Sequence, residues 1–145
     1  MQGVSMARRK YGLLTEEQYE VLKLRIQGLT QKKIAEILKT SRENVAVVER
    51  RAKRNIRLAE ETLKAYKELL AITKVEIKEG THLVDVPRIV INAADKVGVK
   101  LKANFTRIYD EIRFKAGECV KGTHVVKPIV ILIYKNGDVE VLKCY

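Results

Sequence analysis

The sequence predicts an α+β protein in two parts. The first is a three-helix helix-turn-helix domain over residues 1–71 whose third helix runs on as a long connector. The second is a small α+β domain over residues 72–145, with helices on one face of a mainly antiparallel sheet. Three features point this way: helix-start signals at Thr15, Thr30 and Thr40-Ser41, a stretch from Leu29 to Glu79 without Gly or Pro, and an apolar run, Pro128 to Tyr134, followed by Asn136-Gly137 and a returning strand.

Each element has a local reason. Thr15 precedes Glu16-Glu17-Gln18, a capping box in which the Thr hydroxyl and the Gln amide satisfy each other's backbone N–H, with Leu14 and Tyr19 as staple residues. Helix one then covers about Glu16 to Gln27, with Tyr19, Leu22 and Ile26 as its inward stripe, and Gly28 stops it. Thr30 starts helix two, about Gln31 to Leu38, which buries Ile34, Ala35 and Leu38. Lys33 stands where a box wants Glu or Gln, so that cap is weaker. Thr40 and Ser41 both suit the start of helix three, and propensity does not separate them.

Helix three carries the chemistry. At about 100° per residue, Val45, Val48, Ala52 and Ile56 share one arc and face the core. The opposite arc holds Glu43, Asn44, Val47, Arg50, Arg51, Arg54 and Arg57. Arg forks onto guanine, Asn onto adenine, and Val touches a thymine methyl, so this arc suits a major-groove reader. The plain alternative is a solvated, arginine-rich surface helix. The short helix and tight turn in front favour the reader, because they are the docking apparatus it needs. The predicted DNA-binding residues are Thr30, Gln31, Lys32, Lys33, Arg42, Glu43, Asn44, Val47, Arg50, Arg51 and Arg54. The first four sit at the start of helix two, where hydroxyl, amides and ammonium groups suit phosphate contacts.

The stretch LTEEQYEVLKLRIQGLTQKKIAEILKTSRENV resembles the helix-turn-helix shared by LuxR-type regulators and sigma-factor region 4. Continued through AVVERRAKRNIRLAEETL, it resembles the archaeal Tfx-type DNA-binding proteins, over Leu14 to about Leu70. The resemblance implies transcriptional regulation. One departure is Lys39, in the turn position where such motifs often place Gly.

Charge agrees with a polyanionic partner. The chain of 145 residues carries a net +11, and the excess leans to the helical half, with 16 Lys+Arg against 9 Asp+Glu in residues 1–71. Arg8-Arg9-Lys10 reads as a basic arm on phosphate or in a minor groove, or as a solvated tail. Beyond Arg57, the positions Ala52, Ile56, Ala59, Leu63, Tyr66 and Leu70 step by four and three, a seam of coiled-coil period. It pairs with a second copy or packs on the C-terminal half; a homodimer is expected.

In the second half, Thr73 to Lys78 alternates as a half-exposed strand. Asp85-Val86-Pro87 opens a helix with Ile89, Ala93 and Val97 inward, and Val99 to Ala103 is a candidate short strand. Asn104 caps Phe105 to Ala116, with Ile108, Tyr109 and Ile112 inward. Asn136-Gly137 predicts a type I′ hairpin turn before Val139 to Tyr145. No nucleophile motif, glycine-rich phosphate loop or carboxylate cluster appears, so no enzyme activity is expected. His82, His124, Cys119 and Cys144 lack paired ligand spacing, and neither metal nor cofactor is expected. Cys119 and Cys144 are read as reduced thiols in a cytoplasmic protein, with a bridge between them as the thermophile alternative. No apolar run approaches a membrane span. The expected partners are double-stranded DNA, a second copy, and a small-molecule effector on the C-terminal domain. A DNA-acting enzyme of recombinase type and an RNA-binding protein using the same basic face are the competing readings.

Overall fold

In a computed structural model describing residues 9–142, Thr15 starts the first helix as its sequence demands. Its hydroxyl accepts the Gln18 backbone N–H, and the Gln18 side-chain Oε1 accepts the Thr15 N–H, both at 3.1 Å, ahead of α1 (Glu16–Ile26). The Thr30 hydroxyl accepts the Lys33 N–H at 3.1 Å and starts α2 (Gln31–Leu38); Lys33 returns nothing to Thr30 and pairs with Glu36. Ser41, not Thr40, caps α3 (Arg42–Leu70), accepting the Asn44 N–H at 3.1 Å. Thr40 instead accepts from the Asn44 side-chain amide. With no Gly or Pro inside it, α3 runs for 29 residues.

The turn between α2 and α3 closes on Lys39 at φ 56°, ψ 49°, where a β-carbon crowds the backbone and glycine would not. Lys39→Gly is therefore expected to raise stability by about 0.5–1 kcal/mol, read as a higher urea midpoint at unchanged slope. An unchanged or lower midpoint would show that Lys39 makes a compensating interaction.

Two compact units emerge, one ending at Leu63 and the other beginning at Lys64, so the boundary falls inside α3. The first unit's core is Val21, Ile34, Ala35, Val45 and Val48, with Leu24, Leu29 and Leu38 at its margin. The expected stripe of α1 is corrected. Tyr19 and Ile26 are exposed and Leu22 is half-buried, while Gln18 and Val21 turn inward. The helix has two apolar stripes about 100° apart, and Tyr19 is taken up by stacking on Tyr11, with ring centroids 3.8 Å apart. On α3, Val45, Val48 and Ala52 are buried as expected, but Ile56 is 39% exposed, because the core ends one turn earlier.

In the second unit, β1 (Thr73–Ile77) leads through the turn at Glu79-Gly80 and a 3-10 turn at Leu83–Asp85 into α4 (Val86–Lys96). Then come α5 (Phe105–Lys115), a small hairpin of β2 (Val120–Lys121) and β3 (His124–Val125), and finally β4 (Ile129–Ile133) and β5 (Val139–Val141). The main sheet has the order β1-β4-β5, all antiparallel, with Ile131 opposite both Val75 and Val141. Ile129, Ile131 and Ile133 face a core shared with Val90, Ile108 and Ile112. Leu132, on the other face, is also fully buried, which is why β4 reads as an unbroken apolar run.

Four expectations fail here. The inner face of α4 is Val86, Val90 and Ala94, not Ile89, Ala93 and Val97: Ile89 and Val97 are exposed and Ala93 is only partly buried. Buried Leu83, one turn ahead of α4, sets that rotation by extending the winning stripe. Residues Val99 to Ala103 form no strand; Lys102 makes a single backbone bond, to the Gly137 carbonyl at 3.0 Å, too little for a ladder. The hairpin turn is not type I′, since Asn136 does not have positive φ. The Gly137 N–H bonds the Tyr134 carbonyl at 2.9 Å, and Gly137 alone takes φ 93°, so the loop is a three-residue turn with a glycine bulge. A β-carbon at Gly137 would run into the Lys100 carbonyl oxygen. Finally, Cys119 is fully buried and disulfide-bonded rather than a reduced thiol; Cys144 lies outside the described residues.

Candidate nucleic-acid interface

The outward arc of α3 stands as the spacing requires. Arg42, Glu43, Asn44, Arg50, Arg51, Arg54 and Arg57 are exposed and Val47 is half-buried, while Val45, Val48 and Ala52 hold the opposite side in the core. Thr30, Lys32 and Lys33 are exposed at the start of α2, and Gln31 is half-buried. Of the basic triplet near the N-terminus, Arg9 and Lys10 are exposed and Arg8 lies outside the described residues.

Gln31 departs from the simple picture of a phosphate contact. Its side-chain Nε2 donates to Glu49 at 2.9 Å. Glu49 is a carboxylate only 5% exposed, and it also receives Arg25 Nε at 3.2 Å and pairs with Lys53 Nζ at 3.0 Å. One carboxylate thus joins α1, α2 and α3. Burial alone would push its pKa up, but hydrogen bonds from Gln31, Lys53 and Arg25 outweigh that and hold it down to about 2, from 4.5. Arg25 is itself held by the Leu29 carbonyl at 3.0 Å.

These residues form the floor of a groove of about 820 Å³ lined by Arg25, Arg50, Arg51, Lys53, Arg54 and Arg57. Six cations around one buried, ion-paired carboxylate make a positive concavity suited to a polyanion. Sequence reading missed Glu49, Arg25 and Lys53. In VVERRAKR the glutamate looks solvated, yet helical geometry places it about 40° from Val45, on the buried side. Asn55 was also missed: its amide donates to the Leu13 carbonyl and to Gln18 Oε1, tying α3 to the start of α1.

The second unit has its own polar cluster. The Tyr134 hydroxyl donates to Glu140 at 2.7 Å, and Lys67 and Lys115 pair with the same carboxylate. Burial pushes the Tyr134 pKa up, reinforced by Glu140. Burial would also raise Glu140, but Lys67 and Tyr134 bonds bring it below its ordinary value. A cleft of about 320 Å³ beside them is lined by Lys102, Arg107, Lys115, Tyr134, Asp138 and Glu140. His82 and His124 meet edge-on with centroids 4.8 Å apart, and among the described residues no group of three or more metal-ligating side chains is assembled. No described helix is long and apolar enough to cross a membrane.

A capped short helix, a tight turn and a long basic helix define a helix-turn-helix nucleic-acid-binding protein. Comparison with known proteins carries this further. Residues 12–58 match the model of sigma-70 region 4, and residues 59–141 match that of the C-terminal region of the TFX DNA-binding proteins. The chain is 43% identical over 128 residues, 88% of its length and 93% of the relative's, to a protein of Methanocaldococcus jannaschii named "Putative transcriptional regulatory protein". A protein of Methanococcus vannielii with the same description is 35% identical, over 88% of this chain and 90% of its own. The DNA-binding protein Tfx of Methanothermobacter thermautotrophicus is 31% identical, over 91% of this chain and 96% of its own. The chain belongs to the TFX family of DNA-binding proteins.

Proposed function

We propose that this DNA-binding transcriptional regulator reads the major groove with the first turns of α3 and does so as a homodimer. The observation that carries the reading is the outward arc of exposed Asn44, Arg50, Arg51 and Arg54 with half-buried Val47, backed by a packed core and preceded by the start of α2. Asn44, Val47, Arg50 and Arg51 lie nearest the helix start and meet base edges. Thr30, Lys32, Lys33, Arg42, Arg54 and Arg57 meet phosphates. Glu43, also on the arc, accepts from a cytosine amino group.

The dimer rests on the second half of α3. Ile56, Leu63, Tyr66 and Leu70 are all exposed at coiled-coil spacing, between 39% and 57%. Apolar side chains in that register, on a regulator whose motif class reads paired half-sites, call for a second copy. The second domain, from about residue 72, supports the dimer, and its cleft of mixed charge at Lys102, Arg107, Lys115, Asp138 and Glu140 is where a small-molecule effector would act. The protein works by binding rather than catalysis, in the cytoplasm.

Selection of bound sequences from random duplex DNA tests the reading. It should yield one site with two half-sites about one helical turn apart, roughly 34 Å. Sedimentation equilibrium should give a dimer at micromolar concentration, and Leu63→Glu, at a 52% exposed seam position, should give a monomer. No enriched sequence, or equal affinity for duplex RNA and DNA, would overturn the DNA-reading assignment; a monomeric parent protein would overturn the dimer.

A further inference from the structure

Glu49 is an anion in the floor of a groove that six cations make ready for a polyanion. On charge alone it opposes binding. A surface carboxylate there would be a liability, but this one is buried and fully partnered, by Arg25 from α1, Gln31 from α2 and Lys53 from its own helix. Glu49 draws hydrogen bonds from both preceding helices onto α3. Resting on the DNA-reading assignment above, we infer that Glu49 is a positioning residue that sets sequence specificity: it fixes α1 and α2 against α3 and orients the Gln31 amide and Arg25 beside the DNA.

The chemistry separates two roles of opposite sign. As a charge, Glu49 weakens all binding to DNA, since the interaction with phosphate is set by the local balance of cations and anions. As a positioner, it strengthens binding only where helix geometry matters, at the correct base sequence. One hydrogen of the Gln31 amide is engaged by Glu49, leaving the other for a phosphate oxygen. The carboxylate thereby holds that second N–H in a fixed direction. Loss of a hydrogen bond to a charged group is expected to weaken recognition by about 10- to 150-fold.

Glu49→Gln keeps the shape and removes the charge. Titrated against the selected site and a random duplex at several salt concentrations, the full-length variant should bind the random duplex as tightly as the parent or more tightly. It should bind the selected site about 10-fold or more weaker, so that the specificity ratio collapses. Equal tightening on both duplexes would make Glu49 an electrostatic brake alone, and equal weakening with an intact circular dichroism spectrum would make it a general structural residue; either overturns the inference. Should Glu49→Gln not fold, Gln31→Met decides: it removes the amide at a half-exposed position without changing charge. It should weaken binding to the selected site more than binding to the random duplex, so that the specificity ratio falls, and leave the salt dependence as it was, because the amide carries no charge. An unchanged specificity ratio in Gln31→Met overturns the inference. If the parent itself shows no preference for any sequence, the DNA-reading assignment fails instead.

Discussion

Arg51→Ala is expected to weaken binding to the selected duplex by about 1–3 kcal/mol and to leave binding to random duplex nearly unchanged. Arg51 sits early on the outward arc of α3 and is exposed, so its removal disturbs neither core nor cap. A guanidinium forked onto a guanine edge contributes only where that guanine is present. Lys32→Ala is the counterpart. Lys32 is exposed at the second position of α2, and an ammonium there serves any phosphate. Its loss should weaken specific and random binding alike and reduce the salt slope by about one unit. Titrations of both variants on both duplexes across a salt series make the comparison. Identical behaviour of the two would show that the arginine face is electrostatic and that α3 does not read bases.

Ile131→Ala should cost about 2–5 kcal/mol of stability, a large share of what a small domain has. Ile131 is completely buried at the centre of the middle strand, opposite Val75 and Val141 and packed into the cluster that holds Ile108 and Ile112. Truncation leaves a void that strands bonded on both sides cannot close. Phe114→Ala is the control: the ring is 88% exposed despite its size, and its loss should stay within about 0.5 kcal/mol. Urea denaturation followed by far-ultraviolet circular dichroism reads both. A loss under about 1 kcal/mol for Ile131→Ala would mean the sheet's centre lies elsewhere.

Capping chemistry and strand punctuation were legible in the residues because they are local. The Thr15–Gln18 box, the Asn104 cap on Arg107 and the apolar run of β4 each depend on a few neighbours. Helix rotation was not legible where two apolar stripes compete. In α4, Val86-Val90-Ala94 and Ile89-Ala93-Val97 are equally periodic, and only Leu83, brought in by a 3-10 turn, decides between them. The hairpin around Asn136-Gly137 was legible as a hairpin but not in its turn type. Asn136 accepts the Asp138 N–H at 3.0 Å, a side-chain turn compatible with negative φ, leaving the left-handed position to Gly137 alone. In the site, the exposed arc could be read from spacing. Glu49 could not be read from composition, because its partners come from three helices and a charged neighbourhood conceals a buried position.

The unbroken course of α3 has a consequence for how operators can be built. The proposed base-reading residues and the exposed seam residues lie on one helix of 29 residues, an axial rise of about 44 Å, with no Pro or Gly inside it. In the proposed dimer, pairing two such helices along the seam would fix the azimuth at which each presents Asn44, Val47 and Arg51. The helix would then act as a camshaft: adding one residue between Arg57 and Leu63 would turn the reading face by about 100° against Leu63, Tyr66 and Leu70, whereas adding seven would turn it by only about 20°. In the proposed dimer, half-site spacing would be indexed to the length of this helix, and the two would change together in steps close to whole heptads.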